Sequence, residues 1–360
     1  MKKIILTGGG TAGHVTPNLA LVPELKARGY ELLYIGSKKG MEKGLVEQFG
    51  LPYCGISSGK LRRYFDWKNF TDPFRVLRGY FEARRIIRRF QPDVIFSKGG
   101  FVAVPVTLAA KHCHVPVVAH ESDMTPGLAN RLSAPFATTI CCNFPETLRH
   151  LPAGKAVLTG SPIRAELLTG TRAAGLRYAG LSGEKPVLLI IGGSLGAVHI
   201  NEAVRKVLPA LLEHFDVIHL CGKGNVEESL QGKPGYVQYE YVDQPLKDLF
   251  AAADLVISRA GANAICELLA LKKPSLLIPL SAAASRGDQI LNAASFEKQG
   301  YALVLSEEQL SGERLLSEVQ KLYQQRDRLI GAMSKAGGAD AVKKIADIID
   351  AAAAKRKGRG

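Results

Sequence analysis

No apolar stretch in the sequence approaches the ~18 residues that a membrane span needs. The longest, from Phe101 to Ala110, is broken by Pro105 and Thr107, which excludes a spanning protein. A secretory leader is not expected either, since only Ile4, Ile5 and Leu6 separate the two opening lysines from a triple glycine. That is far short of a signal-peptide core, and the expectation is a protein that stays in the cytoplasm. The six cysteines (Cys54, Cys113, Cys141, Cys142, Cys221 and Cys266) contain no CxxC pair and no metal-like spacing. Most lie among apolar residues and read as buried thiols of a reducing compartment rather than as a disulfide framework. No GxxxxGK[ST] occurs, which argues against a P-loop NTPase. Acidic residues are the minority, 33 against 47 basic ones, for a formal charge of +14. An excess of that size bears on partners rather than on fold. Nucleic acid, an anionic membrane and a phosphorylated substrate all fit it.

What remains is an ordinary globular composition, 46% apolar and 22% charged over 360 residues, long enough for two domains with a core each. Short β-branched runs alternate with amphipathic stretches. Lys3–Thr7 reads as a strand, GGGTAGH as a loop, and Asn18 to Arg28 as a helix closed by Gly29. Strands follow at Leu32–Ile35, Asp93–Phe96 and Pro116–Ala119. The plan restarts at Val187–Ile191, followed by GGSLG and a helix from Val198, then Val217–Leu220, Leu255–Ser258 and Leu276–Ile278. This alternation predicts an α/β fold of two Rossmann-like, doubly wound domains in tandem. The boundary falls near Gly160–Arg164, and the glycine-rich Thr169–Lys185 reads as a loose approach to the second domain. Doubly wound sheets bind ligands outside the carboxyl ends of their strands, so the site is expected in a cleft between the two domains.

The loops carry the chemistry. Gly8-x-Gly10-x-x-Gly13 matches the dinucleotide fingerprint, whose glycines let backbone amides approach an anion at a helix N-terminus. The acid that would hold a ribose at the end of the second strand is absent; that position reads Gly36-Ser37-Lys38. Plain NAD binding is therefore disfavoured, with an NADP oxidoreductase as the alternative. His14 follows the loop directly and suits a base that removes a proton from a hydroxyl. Gly192-Gly193-Ser194-Leu195-Gly196 is a second phosphate cradle. Glu267 lies on the helix that begins after Arg259-Ala260-Gly261-Ala262, where a carboxylate can accept two ribose hydroxyls. Gln289 and Asn292, on a helix opened by Gly287, offer polar groups for sugar hydroxyls.

Gly59 to Phe90 is the most biased segment. It carries ten basic residues, among them Arg62, Arg63, Arg75 and Arg78, against three acids. Trp67, Phe70, Phe74 and Phe81 are interleaved with them. Basic and aromatic residues together suit the headgroup zone of an anionic bilayer. Nucleic acid favours the same chemistry, but no recognition motif for it appears. The plainer alternative is a solvated basic helix with Phe74, Leu77 and Phe81 packed inward.

Seven motifs, GGGTAGHVTP, SKGGF, HES, SPIR, GGSLGA, SRAGANAICE and DQILNA, run in order from residue 8 to 293. Together they resemble the MurG family, the cytoplasmic-face glycosyltransferases of peptidoglycan synthesis. The resemblance implies a GT-B fold divided at 1–162 and 163–338, with a C-terminal helix near 339–352 packing back on the first domain. It implies an inverting transfer of N-acetylglucosamine (GlcNAc) from UDP-GlcNAc to the muramoyl 4-hydroxyl of undecaprenyl-diphospho-N-acetylmuramoyl-pentapeptide (lipid I), giving lipid II. The partners implied are UDP-GlcNAc, lipid I and an anionic membrane surface at the cytoplasmic face, peripherally bound, with no nucleic acid. By position, Thr11, Ala12 and Gly13 meet the donor, Ser194 contacts its diphosphate and Arg164 reaches the nucleotide. Val242 presents backbone to uracil, and Gly261, Ala262, Asn263 and Ala264 line the diphosphate and sugar. Glu267 holds the ribose and Gln289 the GlcNAc hydroxyls. Gly99 and Gly100 offer amides to the acceptor diphosphate. His14 is the candidate base and Glu121 the second choice. No DxD motif is present, and no metal or cofactor is required. Three departures stand out: Ala12 in a position usually glycine, Ser122-Asp123 in place of the family's Gln-Asn, and SPIR for NPxR. Asp123 accepts from hydroxyls but does not donate.

Overall fold

The computed structural model describes residues 1–59, 68–193, 196–282, 287–336 and 340–357, with residues 68–73 and 357 described for backbone alone. Arg62, Arg63, Trp67 and Ser194 lie outside the described residues, as does the side chain of Phe70. The chain forms two compact units, Met1–Arg164 with Ala339–Gly360, and Ala165–Gly338.

The first unit runs β1 (Lys2–Thr7), α1 (Thr16–Ala27), β2 (Tyr30–Ser37), α2 (Glu42–Gln48), β3 (Tyr53–Ile56), α3 (Lys68–Phe90), β4 (Val94–Ser97), α4 (Ala103–His112), β5 (Val117–Glu121), α5 (Leu128–Ser133), β6 (Thr139–Cys142) and β7 (Ala156–Leu158). The seven strands are parallel in the order β3-β2-β1-β4-β5-β6-β7. Successive strand side chains point to opposite faces, so Ile4, Leu6, Val94 and Phe96 enter one core, and Ile5 and Ile95 the other. Both faces are apolar because helices cover both.

The second unit runs α6 (Arg172–Ala179), β8 (Val187–Ile191), α7 (Val198–His214), β9 (Asp216–Leu220), β10 (Tyr236–Tyr239), α8 (Leu246–Ala252), β11 (Leu255–Ser258), α9 (Ala262–Ala270), β12 (Ser275–Leu277), α10 (Asp288–Lys298), β13 (Leu303–Val304) and α11 (Gly312–Lys335). Its sheet is ordered β10-β9-β8-β11-β12-β13, again parallel. The region read as a loose approach contains α6. Its glycines serve packing: a Cβ on Gly170 or Gly175 would stand 2.1 Å from Lys247 O or Asp248 O. Glycine there lets α6 lie directly on α8, a tertiary reason that local periodicity does not display.

The last helix, α12 (Ala341–Lys357), runs five residues beyond the expected end and belongs to the first unit. Ile345 and Ile349 enter the same core as α1. Asp350 accepts from Lys2 Nζ at 2.7 Å, Arg28 Nη1 at 2.8 Å and the Tyr30 hydroxyl at 2.8 Å. Partial burial opposes ionisation of Asp350, but these donors hold its carboxyl below the usual range.

Helix α3 packs through Gly79, Ala83 and Ile87, which lie on one face at a four-residue repeat. A Cβ on Gly79 would stand 2.1 Å from Ser57 O, so the helix is seated by a backbone contact. Glu82 fixes its rotation, accepting from Lys38 Nζ at 2.6 Å and from Ser57 N at 2.6 Å. Partial burial opposes ionisation there too, but Lys38 and Ser57 bring the carboxyl down to about 2. Phe74, Leu77 and Phe81 are 75%, 54% and 56% exposed. The inward packing considered for them does not occur, because the seating face lies on the other side of the helix. They form an outward apolar stripe at i, i+3 and i+7, with Arg75 and Arg78 beside it.

Candidate active site

Each strand order has one switch point, where successive connections leave in opposite directions and the loops splay apart. In the first unit it lies between β1 and β4, in the second between β8 and β11. The Gly-rich loops read from the sequence emerge at these places.

In the first unit, the loop after β1 and the loop after β4 touch through bare backbone. Gly100 has φ +81, and a Cβ on it would stand 2.2 Å from Gly9 O. Gly99 has φ +94 and would meet Asn130 Oδ1 at 2.7 Å. Only glycine satisfies both the conformation and the space. The β1 loop is held from beneath. Asn18, fully buried, donates to Thr7 O and His14 O, each at 3.2 Å, and the Tyr34 hydroxyl donates to Gly8 O at 2.9 Å. Ala12 opens a 3-10 turn ending at His14 and does not have positive φ, so the methyl in a position usually glycine is unstrained. His14 Nδ1 lies 3.0 Å from Thr11 Oγ1.

Glu42 was missed. The end of β2, where an acid would hold a ribose, carries Ser37 instead. The structure supplies the acid from the first turn of α2, fully buried. Its Oε1 accepts from Ser37 N at 2.9 Å and Ser37 Oγ at 2.5 Å, and its Oε2 from Gly10 N at 3.3 Å. Glu42 thus bonds the protein's own backbone where a dinucleotide-binding domain uses its acid for a ribose. The NADP alternative finds no support here. Its only local signal was a helix-start glutamate beyond a Lys-Lys-Gly turn.

Glu121 ends β5 and is buried. It accepts from Asp123 N at 3.0 Å, Gly127 N at 3.1 Å and Asn130 Nδ2 at 2.8 Å. Burial pushes its carboxyl up, against the pull of these donors. Its oxygens are engaged in folding the 121–127 loop, which places Asp123.

In the second unit, Gly193 and Gly196 have φ +93 and +76, and a Cβ on Gly196 would stand 2.1 Å from Cys221 O. That carbonyl is held by Asn201 Nδ2 at 2.9 Å, and Asn201 Oδ1 lies 2.9 Å from His219 Nε2. Burial, aided by the Arg205 charge, pushes His219 down to about 3, so it braces the loop as a neutral ring. Gly261 is the N-cap of the nine-residue α9, whose first turn holds Ala262, Asn263 and Ala264. Glu267 follows in the second turn, half-buried. Gln289 Oε1 accepts from Leu280 N at 3.0 Å, which leaves its Nε2 to donate. Val242 is buried and Arg164, the last residue of the first unit, half-buried.

Two braces here were not anticipated. Arg259 points away from α9, donating to Ile278 O at 3.1 Å and pairing with Glu307, which also accepts from Ser281 N at 3.0 Å. Burial works against the Glu307 charge, but Arg259 and Ser281 keep its carboxyl below the usual range. The pair ties down the backbone at Ile278 and Ser281, just after β12. Asn292, read as a sugar ligand, is fully buried and donates to Ala260 O at 3.3 Å. Its position one turn into α10 turns it toward the protein, so it supports the loop before α9 instead.

Comparison with known proteins extends these observations. Residues 4–142 match the glycosyltransferase family 28 N-terminal domain, and residues 187–351 the family's C-terminal domain. A protein of Lachnospira eligens is 62% identical over 349 residues, covering 97% of this chain and 99% of its own. One of Clostridium botulinum (strain Loch Maree / Type A3) is 60% identical over the same shares. Both are named UDP-N-acetylglucosamine--N-acetylmuramyl-(pentapeptide) pyrophosphoryl-undecaprenol N-acetylglucosamine transferase. Among solved structures, MurG of Acinetobacter baumannii superposes with a TM-score of 0.75 at 26% identity, over 97% of this chain and 99% of that one.

Proposed function

The chain belongs to glycosyltransferase family 28, and on that premise we propose that it transfers GlcNAc from UDP-GlcNAc to the muramoyl 4-hydroxyl of lipid I, giving lipid II. One observation carries the reading. Each unit has, at its switch point, glycines whose backbone conformation or close approach suits a diphosphate, Gly99 and Gly100 in the first and Gly193 and Gly196 in the second, and this reaction joins two substrates that each carry one.

The second unit takes the donor. Glu267 accepts the ribose hydroxyls, Val242 offers backbone to uracil, and Gln289 Nε2 donates to the sugar. Arg164 and Thr11 to Gly13 complete the donor contacts, and Asp123 accepts from a sugar hydroxyl. The first unit takes the acceptor, its diphosphate on the Gly99 and Gly100 amides. His14 removes the proton from the 4-hydroxyl as that oxygen attacks C1 of GlcNAc. The C1–oxygen bond to UDP breaks with inversion, and the electron pair leaves on the β-phosphate. Amides at the N-terminus of α9 and in the Gly192–Gly196 loop, with Ser194, stabilise that growing charge. This chemistry calls for no metal or cofactor. The test is UDP release from UDP-GlcNAc with and without a soluble lipid I analogue. Release that depends on the analogue is expected; none, with the analogue verified on another transferase, would overturn the reading.

No described helix is long and apolar enough to cross a membrane. We place the protein peripherally on the cytoplasmic face of the cell membrane, held by the outward stripe of α3. Burying Phe74, Leu77 and Phe81 in the headgroup zone is worth up to ~1.5–3 kcal/mol per aromatic or leucine side chain, and each nearby arginine adds about 1 kcal/mol on an anionic surface. Changing all three apolar residues to serine should therefore weaken binding to phosphatidylglycerol vesicles at least ~10-fold in a sedimentation assay. Unchanged partition would remove α3 from the contact.

A further inference from the structure

Lys98, at the carboxyl end of β4 and directly before Gly99, is fully buried. An ammonium donates three hydrogen bonds and accepts none, and burying one is costly unless it is well partnered. Its Nζ lies 2.7 Å from His120 Nδ1 and donates to Ser122 Oγ. Because Nζ only donates, His120 Nδ1 is the acceptor, and the proton of the neutral ring sits on Nε2. That nitrogen donates to Gly160 O at 3.0 Å, a carbonyl that also accepts from the Thr159 hydroxyl at 2.9 Å. One ammonium therefore links the Gly99–Gly100 loop, the 121–127 loop through Ser122, and the Thr159–Gly160 turn through His120. Ser122 stands where the family's usual motif has glutamine, and it is this short hydroxyl that meets Nζ.

We propose that Lys98 is a positioning residue for the transfer, fixing these three segments relative to one another so that the acceptor's diphosphate meets a preformed Gly99–Gly100 floor. The inference rests on the reading that this floor holds the acceptor. Its state depends on a neutral His120. The titratable groups around that ring are Lys98 from β4, Cys141 from β6, which is its register partner, and Glu121 next to it on β5. Burial and then the Lys98 charge hold His120 well below its usual range, so the two together keep the link unprotonated.

Lys98→Met should raise the KM for a lipid I analogue at least ~10-fold, the scale on which a small misplacement of a binding group acts. The KM for UDP-GlcNAc should be unchanged. The acidic limb of its acceptor kcat/KM should also move to higher pH than in the parent, because the Lys98 charge that helps to hold His120 low is gone while burial remains. A residue that only stabilised the fold would lower the active fraction and move neither KM nor the pH profile. His120→Gln keeps an acceptor toward Nζ and a donor toward Gly160 and should retain the parent KM, whereas His120→Leu should raise it. If Lys98→Met does not fold, the glutamine and leucine variants decide: equal KM in the two would overturn the proposal. So would a folded Lys98→Met with the parent's acceptor KM and pH profile. Failure of the parent to transfer at all would instead overturn the function it rests on.

Discussion

Replacing His14 by alanine is expected to lower kcat for GlcNAc transfer by roughly 10²–10⁴-fold, the usual contribution of a positioned general base. The affinity of the second unit for UDP-GlcNAc should stay near its parent value. The expectation follows from how His14 is held. It closes the 3-10 turn at the first switch point, its ring half-buried. Nδ1 lies 3.0 Å from the Thr11 hydroxyl, and a neutral imidazole has one donor and one acceptor nitrogen. For Nε2 to accept the substrate's proton, Nδ1–H must donate to Thr11 Oγ1. Thr11→Val removes that acceptor while keeping the shape, and should lower kcat by less than His14→Ala does. Rates from a UDP-release assay at saturating substrates, with donor binding by calorimetry, separate lost chemistry from lost binding. A His14→Ala enzyme with the parent kcat would move the base elsewhere. Glu121 is a poor successor, since its two oxygens already accept three hydrogen bonds, two from the 121–127 loop and one from Asn130 of α5.

The parts of the site legible in the sequence are those that close backbone approach imposes. Gly9, Gly99, Gly100 and Gly196 sit where a Cβ has no room or φ is positive, and such requirements leave glycine at fixed offsets after a strand. The parts that were not legible act across the chain. Arg259 and Glu307 are 48 residues apart, and Lys98 lies 22 residues from His120; no local pattern announces either pair. Glu42 escaped because the acid was sought at the position a bound ribose would need, whereas this unit uses it to fasten Ser37 to Gly10. Helix α6 was obscured by the same residue type that marks loops, as glycine there serves helix-on-helix contact. The exposure of Phe74, Leu77 and Phe81 was open in the sequence because an apolar stripe reads alike whether it faces a core or a bilayer. The position of Gly79 against Ser57 O settles which face α3 presents.

The contact between the two first-unit loops yields the other large effect. Gly100→Ala should reduce acceptor-dependent kcat/KM by about 10²-fold, the penalty that a shift of roughly 1 Å at a reacting site can carry. The new Cβ would stand 2.2 Å from Gly9 O and 3.1 Å from Gly9 N. Those are backbone atoms with no flexible end to swing aside, so the β1 loop or the β4 loop must move. The φ of +81 adds about 1–2 kcal/mol for any residue with a Cβ, so the melting temperature should fall by several degrees, about 2–4 °C per kcal/mol for a unit of this size. Gly10→Ala is the matched control. Its φ is +88, yet a Cβ there meets nothing within 4 Å, so it bears the conformational cost without the collision. If loop contact sets the floor for the acceptor diphosphate, the two alanine variants lose comparable conformational stability, but Gly100→Ala loses far more acceptor kcat/KM. Equal catalytic losses would mean that backbone strain alone accounts for both, and that the touching loops are a feature of folding rather than of acceptor binding.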